Sequence, residues 1–203
     1  PRAGSLDLLG PAVALDFTNP SSGRGSLTHQ EHLRCFDDVV DWAGHARVML
    51  PADCAFVRTA MAGDGKGAAR IFAQVLQARE LIWRIGTALA ERRLVPDELR
   101  QELGALHAQC LASADLELRD GAYVWTWNPR RGIVPAILGP VVLSALALLM
   151  ERDLARTKRC EGRECGWLFF DTTKNRTRRW CEMKVCGNRA KVRASRQRKR
   201  PSR

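Results

Sequence analysis

Apolar residues recur every three to four positions along two stretches of the first half of the chain, which is the spacing of an amphipathic helix. The first stretch begins at Glu31 and places Leu33, Phe36 and Val40 on one face. The second covers residues 68–93 and carries a broader apolar face. Both patterns predict helices that bury one side against a shared core.

Two prolines and one long apolar run predict three more helices. Pro51 and Pro96 can each occupy the first turn of a helix, where a missing N–H costs little, and the second of these helices would end near Ala112. Residues 133–150 contain 18 positions without a charge, the lower limit for a membrane span. Because two prolines and a glycine interrupt the first half of this run, a helix buried inside the protein explains it better than a membrane helix.

Other segments show the two-residue period of β-strands. Residues 115–119 and 122–127 flank Asp120-Gly121, a favourable pair for a tight hairpin turn. One face of this hairpin would carry Tyr123, Trp125 and Trp127. We expect that face to contribute to the core with one edge exposed; a platform for stacking bases is the alternative. Residues 12–17 predict a short early strand.

Four cysteines near the C-terminus form two pairs of equal spacing. Four residues separate Cys160 from Cys165 and Cys181 from Cys186, and fifteen residues lie between the pairs. Thiolates at this separation can close a tetrahedral site around zinc; two disulfides or four unrelated thiols are the alternatives. The first residues do not resemble a signal peptide, so we expect a reducing compartment, where such cysteines more often hold metal.

Positive charge is concentrated in the same region. Residues 156–203 contain 17 lysines and arginines against 4 acidic residues, a net charge of +13, whereas residues 1–155 contain 16 against 18, a net charge of −2. A concentrated basic segment around a metal site is what a polyanion-binding module requires. A flexible, solvated tail is the alternative for residues 196–203. In residues 174–193 the charges alternate with apolar side chains, which would give the segment a small core.

The segment at 160–193 resembles the CGNR zinc finger family of bacterial proteins, which is named after the four residues at 186–189. The match includes Trp-Leu-Phe-Phe-Asp at 167–171, Arg-Arg-Trp-Cys at 178–181 and the surroundings of the last cysteine. Such fingers usually follow an N-terminal domain, ABATE, that is named for stress-induced transcription regulators. Leu-Asp-Phe-Thr-Asn at 15–19 resembles the opening of that domain. The resemblance implies zinc binding and a DNA-binding regulatory role.

We therefore expect a treble-clef-like or ribbon-like finger around one structural Zn²⁺ per chain, because a site closed by four thiolates leaves no coordination position for a substrate. Residues 167–171 would form the first strand of a hairpin, Lys174-Asn175 its turn, and residues 178–181 its return to the metal. Asn188 would cap a basic helix at 189–200.

The predicted helix and hairpin would present cations to nucleic acid. Four arginines recur every three to four residues along the helix, so that one face would fit phosphates or the major groove of duplex DNA. The complete set of expected contacts is Lys174, Asn175, Arg176, Arg178, Arg179, Asn188, Arg189, Lys191, Arg193, Arg196 and Arg200. The spacing does not distinguish the arginines that contact bases from those that contact phosphates.

The expected fold class is α+β: a mainly helical N-terminal domain with a small antiparallel β component at 1–155, then the finger at 156–203. We expect a zinc-dependent, DNA-binding transcription regulator in the cytoplasm, associated with the nucleoid, whose N-terminal domain senses a small-molecule effector or forms a homodimer. No membrane partner is expected. RNA binding by the same finger is the first alternative. An enzyme in the N-terminal domain is the second, and we expect none because the four histidines form no visible catalytic constellation.

Overall fold

The computed structural model describes residues 2–24, 26–151 and 153–198. The α-helices in these ranges are α1 (Val13–Thr18), α2 (Phe36–His45), α3 (Pro51–Met61), α4 (Gly65–Ala90), α5 (Asp97–Leu111), α6 (Ile133–Met150) and α7 (Asn188–Arg198). The strands are β1 (Ser21–Ser22), β2 (Gln30–Glu31), β3 (Ala114–Arg119), β4 (Ala122–Trp127), β5 (Thr157–Arg159) and β6 (Leu168–Phe170). They pair in sequence order as antiparallel two-stranded sheets. The predicted α+β class, mainly helical with small antiparallel sheets, is confirmed.

Helix α4 is the longest described helix and lies at the centre of the fold. Asp64 caps its N-terminus, where its carboxylate accepts a hydrogen bond from the Gly67 N–H at 2.8 Å. This bond satisfies an N–H that the helix itself leaves free. Ile71, Val75 and Ile82 lie on its buried face, and α4 packs against α1, α2, α5 and α6.

Helix α6 is apolar on all sides because α1, α4 and α5 pack around it. By length and composition it is the one helix of the described ranges that could cross a membrane, and a buried core helix passes the same test. The Ser144 hydroxyl of α6 accepts a hydrogen bond from the Ala14 N–H of α1 at 3.2 Å. This bond joins the N-terminal segment to the core helix.

Two predictions about the N-terminal segment are wrong. The expected strand at 12–17 is helix α1, and five of the six residues in α1 are buried. The period of a short run does not distinguish strand from helix when every face is covered. The helix expected from Glu31 begins at Phe36 instead, because Glu31 lies in β2, where its carboxylate accepts bonds from Arg79 and from the Leu33 N–H.

The predicted hairpin is confirmed as β3 and β4, with the turn at Asp120 and Gly121. Trp127 anchors its base, donating a hydrogen bond from Nε1 to the Cys110 carbonyl at 2.9 Å. The expectation that the aromatic face enters the core holds only at this base. The side chains nearer the tip have no such cover: Tyr123 is 69% exposed and Trp125 is 43% exposed.

Candidate metal centre and nucleic-acid interface

Four cysteine side chains converge in the C-terminal segment. The Sγ atoms of Cys160, Cys165, Cys181 and Cys186 all lie within 4.8 Å of one another. Sγ of Cys181 is 3.5 Å from that of Cys165 and 3.7 Å from that of Cys186. Four sulfurs at tetrahedral corners, each about 2.3 Å from zinc, would lie about 3.8 Å apart. These separations fit a metal site and are too long for disulfide bonds, which are about 2.05 Å.

Short connections on both sides bring the cysteines together. Cys160 directly follows β5 and Cys165 lies just before β6, so that one two-stranded sheet presents the first pair. Between them the Cys165 N–H donates to the Gly162 carbonyl at 3.0 Å. A Cβ at Gly162 would lie 3.1 Å from Sγ of Cys186, so glycine leaves room for the fourth sulfur. In the second pair Cys181 precedes a π-helical turn, Met183–Gly187, and Cys186 lies within that turn.

The environment of Cys160 favours its thiolate, whereas the neighbouring sulfurs and burial raise the pKa of Cys165, Cys181 and Cys186. The N–H groups of Gly162 and Cys181 point at Sγ of Cys160 at 3.4 and 3.3 Å. Hydrogen bonds from the Cys165 and Cys181 side chains, together with these N–H groups, hold the pKa of Cys160 below its usual range. The donor set, its closure and its burial fit one structural Zn²⁺, with no position open to a substrate.

The four residues Cys186-Gly187-Asn188-Arg189 have distinct roles. Cys186 brings the last sulfur, and a Cβ at Gly187 would lie 2.4 Å from Sδ of Met183. Asn188 does not cap the helix as predicted, because its backbone is already helical and α7 continues directly from the π-helical turn. Its Nδ2 instead donates to the Lys184 carbonyl at 3.0 Å. Arg189 is the first exposed arginine of α7.

The predicted finger hairpin has a different partner strand. β6 pairs with β5, the residues before the first cysteine, rather than with residues 178–181. The helix that follows the last cysteine favours the treble-clef-like arrangement over the ribbon-like one. Residues 178–181 still run beside the segment that joins Cys160 to Cys165, where the Glu161 N–H donates to the Arg179 carbonyl at 3.0 Å.

Asp171 is the polar centre of the finger and is completely buried. It accepts bonds from Lys158 Nζ at 2.7 Å, from the Thr173 N–H at 2.9 Å and from the Arg178 N–H at 3.0 Å. Burial alone would raise the pKa of Asp171, but these bonds, first that from Lys158, hold it well below its usual range. The charge of Lys158 therefore supports the finger's own structure.

The finger-hairpin arginines of the predicted contact set, Arg176, Arg178 and Arg179, also make contacts within the chain, although Arg176 and Arg179 stay exposed. Arg176 pairs with Asp153 at 2.8 Å, and Arg179 bonds Glu161 at 2.7 Å. Arg178 donates to the Trp180 carbonyl at 3.1 Å and to the Cys181 carbonyl, and its guanidinium lies 4.6 Å from the centre of the Phe169 ring. Lys174 and Asn175 of the same set are exposed.

Helix α7 places the remaining cations of that set in solvent. Arg189, Lys191, Arg193 and Arg196 are all exposed. Arg189, Arg193 and Arg196 border one open surface depression together with Val185 and Val192. Within residues 153–198 none of these three arginines forms an ion pair with a carboxylate, in contrast to Arg176 and Arg179. Arg200 lies outside the described residues.

The finger is joined to the helical domain through β6, whose side chains alternate between two cores. Leu168 enters the main core, and Phe169 packs among the zinc-site cysteines. The Asn19 side chain bonds both backbone groups of Leu168, donating to its carbonyl at 3.0 Å and accepting from its N–H at 2.9 Å. Neither role was predicted. The only sequence signals were the resemblances of the segments at 15–19 and 167–171 to the two families.

The segment between β1 and β2 forms a second junction. The Gly23 N–H donates to the Cys165 carbonyl at 2.8 Å. Arg24 pairs with Glu80 of α4 at 2.8 Å and lies 4.6 Å from the centre of the Trp83 ring. A cavity of about 350 Å³ lies nearby between the N-terminal segments and the finger, and Gln30, Trp167 and Arg189 are among its lining residues.

Comparison with known families agrees with this architecture. Residues 156–199 match the model of the CGNR zinc finger, and residues 11–152 match the model of ABATE, described as a putative stress-induced transcription regulator. A search of curated proteins found no match. Neither family description names an enzymatic activity. The second match covers more than half of the chain, and this protein therefore belongs to the ABATE family, whose description is putative stress-induced transcription regulator, and carries a CGNR zinc finger.

Proposed function

We propose that this protein regulates transcription by binding duplex DNA through α7. In this proposal residues 156–203 are the DNA-binding module, residues 1–155 are the regulatory domain, and the four cysteines coordinate the zinc. The observation that carries the proposal is the difference between two groups of arginines. Arg176 and Arg179 pair with carboxylates of the same chain and Arg178 donates to backbone carbonyls, whereas within the described residues Arg189, Arg193 and Arg196 lie exposed on one helix without an ion pair.

The dimensions of α7 suit this role. Its 11 residues extend about 16 Å, and a helix of ordinary diameter fits the major groove of duplex DNA. Guanidinium groups can bond phosphates or the edge of guanine in pairs. An isolated helix of this length is marginal in water, so the zinc site beside Cys186 would hold its first turn in place. Lys174 and Asn175 would add contacts to the DNA backbone.

The test is a triple variant in which Arg189, Arg193 and Arg196 are replaced by glutamine. Its matched control replaces three exposed arginines of the helical domain, Arg70, Arg84 and Arg92, and removes the same charge. If all three α7 arginines contact phosphates, the slope of log K against log salt becomes shallower by about 2.7 for duplex DNA. The control should keep the wild-type slope. Equal slopes for the two triple variants would disprove the proposed interface.

Two further measurements separate the alternatives. Competition between duplex DNA and RNA of the same sequence should favour DNA, and a preference for RNA would assign the finger to the other nucleic acid. Removal of zinc with a chelator should abolish binding, and restored zinc should recover it. Binding that persists without zinc would show that the basic tail acts alone.

The helical domain would regulate the finger in the cytoplasm, at the nucleoid. The cavity beside Trp167 and Arg189 is bordered both by the finger and by the N-terminal segments, so a small-molecule effector bound there would contact both parts. Such a ligand would raise the thermal stability of the whole chain and change its DNA affinity. A ligand that changes stability but leaves DNA affinity unaltered would argue against regulation through this cavity.

A further inference from the structure

The β3–β4 hairpin carries a row of large apolar side chains that the protein leaves in water. Leu116 faces Trp125 and Leu118 faces Tyr123 across the two strands, so these four side chains share one face, which we call the hairpin face. Their exposed fractions are 53% for Leu116, 43% for Trp125, 62% for Leu118 and 69% for Tyr123. The hairpin face continues the row that begins with Trp127 at the core.

This exposure has a physical cost. A two-stranded hairpin is marginal by itself in water and needs cover on its apolar face. In β3 and β4 only the residues at the base are partly buried, so the outer part of the ribbon lacks that cover in the single chain. Four exposed side chains of this size present roughly 400 Å² of apolar surface, an area that marks interaction sites on soluble proteins.

We propose that a second copy of this chain covers the hairpin face. In a twofold dimer the same patch meets itself, so an unpaired charge on it would face a like charge. The four side chains of the hairpin face are uncharged, and the charges on the opposite face of the ribbon are paired within the chain, Asp115 with Arg131 and Glu117 with Arg119. The patch is therefore apolar and locally neutral, as self-association requires. This neutrality also disfavours the base-stacking platform considered from the sequence, which would need free cations.

The proposed function supplies an independent reason for a second copy, and the inference rests on it in this respect. Helix α7 extends about 16 Å, which corresponds to about five base pairs of one half-site. Regulators that insert one helix into the major groove commonly bind two half-sites as symmetric dimers. Two stacked hairpin faces would bury roughly 800 Å² of side-chain surface, which is the size of a weak, reversible interface. We therefore expect a dimer that dissociates in the micromolar range.

The experiment is sedimentation of the zinc-loaded full chain from about 1 to 200 µM. Leu118→Glu places a charge on the hairpin face, and Val124→Glu places the same charge on the opposite face of the same ribbon, where Val124 is 37% exposed. Wild type and Val124→Glu should form dimers, whereas Leu118→Glu should stay monomeric with its zinc content unchanged. Monomeric wild type, or equal masses for the two variants, would overturn the proposal. A monomeric wild type would also leave the hairpin face to a foreign partner.

DNA binding keeps this inference separable from the proposed function. On DNA with two half-sites Leu118→Glu should lose about 100-fold in affinity, because the second finger no longer acts at high effective concentration. On a single half-site it should bind as wild type does. If Leu118→Glu becomes monomeric while the α7 arginines prove irrelevant to DNA, the dimer stands and the proposed function fails. If the α7 arginines are needed for DNA binding and both Leu118→Glu and Val124→Glu remain dimeric, the proposed function stands and the dimer proposal fails.

Discussion

The packing of β6 predicts that the finger and the helical domain stabilise each other. Leu168 is completely buried in the main core, where its Cδ1 lies against Gly86 of α4 and near Leu15 of α1. Leu168→Ala would leave a cavity against a helix backbone that has no side chain at Gly86 to fill it. Because such a site collapses poorly, we expect a loss of about 4 kcal/mol in the free energy of unfolding.

Phe169, the residue after Leu168, provides a control that should lower stability by a similar amount in a different core. Phe169 is also completely buried, but it packs among the zinc-site cysteines and under the guanidinium of Arg178. Phe169→Ala should likewise lower the free energy of unfolding by about 4 kcal/mol, but this loss should destabilise the finger. Leu168→Ala should therefore accelerate hydrogen exchange in α1 and α4, whereas Phe169→Ala should first weaken zinc affinity in competition with a chelator.

The refuting result is equally specific. If the two variants show the same exchange pattern and the same zinc affinity, β6 does not divide its side chains between two cores. If residues 1–155, expressed alone, exchange as slowly in α1 and α4 as the full chain does, Leu168 and its bonds to Asn19 contribute nothing to the helical domain.

Three other changes test separate parts of the molecule. Cys181→Ser should lower the zinc content measured after gel filtration from one per chain toward zero; full retention would contradict the site. Gly139→Ala should cost about 2 kcal/mol in urea denaturation, because a Cβ would lie 2.2 Å from the Trp127 ring, whereas Gly104→Ala meets open space and should be neutral or stabilising. Burial raises the pKa of Asp16 to about 6. The folded chain thus holds this proton more tightly than the unfolded chain, so stability from this group is present below about pH 4 and lost as the pH rises through 6. Asp16→Asn should remove this pH dependence of the free energy of unfolding, which amounts to up to about 3 kcal/mol. An unchanged pH dependence in the variant would assign it to another group.

The features that could be predicted are those encoded by local spacing. The cysteine pairs, the Asp120-Gly121 turn and the apolar run of α6 each depend on residues close together in the chain. The partner of β6 could not be predicted in this way, because β5 contains Lys158 and Arg159, which resemble solvated residues. Only the fold shows that Lys158 neutralises a buried aspartate.

The exposed tip of the β3–β4 hairpin shows that a strand's period predicts which side chains share a face, but not whether that face is buried. Tyr123 and Trp125 alternate as core residues do, and the period identifies their common face correctly. Whether that face is covered depends on how far α5 and α6 extend beneath the hairpin, and this is a tertiary property. Only Trp127 reaches α6, where Gly139 leaves room for its ring.

The structure also changes the meaning of the net charge of the finger. A charge of +13 on residues 156–203 suggests many phosphate contacts, but Lys158, Arg176 and Arg179 each pair with a carboxylate of the same chain. Helix α7 groups four exposed cations on one element, Arg189, Lys191, Arg193 and Arg196, and four others, Arg159, Arg163, Lys174 and Lys184, are exposed elsewhere in the described part of the finger. If all four α7 cations contact phosphates, they should contribute about −4 to the salt slope of duplex DNA binding, far less than the total charge of the finger would give. Binding strength would then depend on how the zinc site holds one helix, because that helix concentrates four exposed cations.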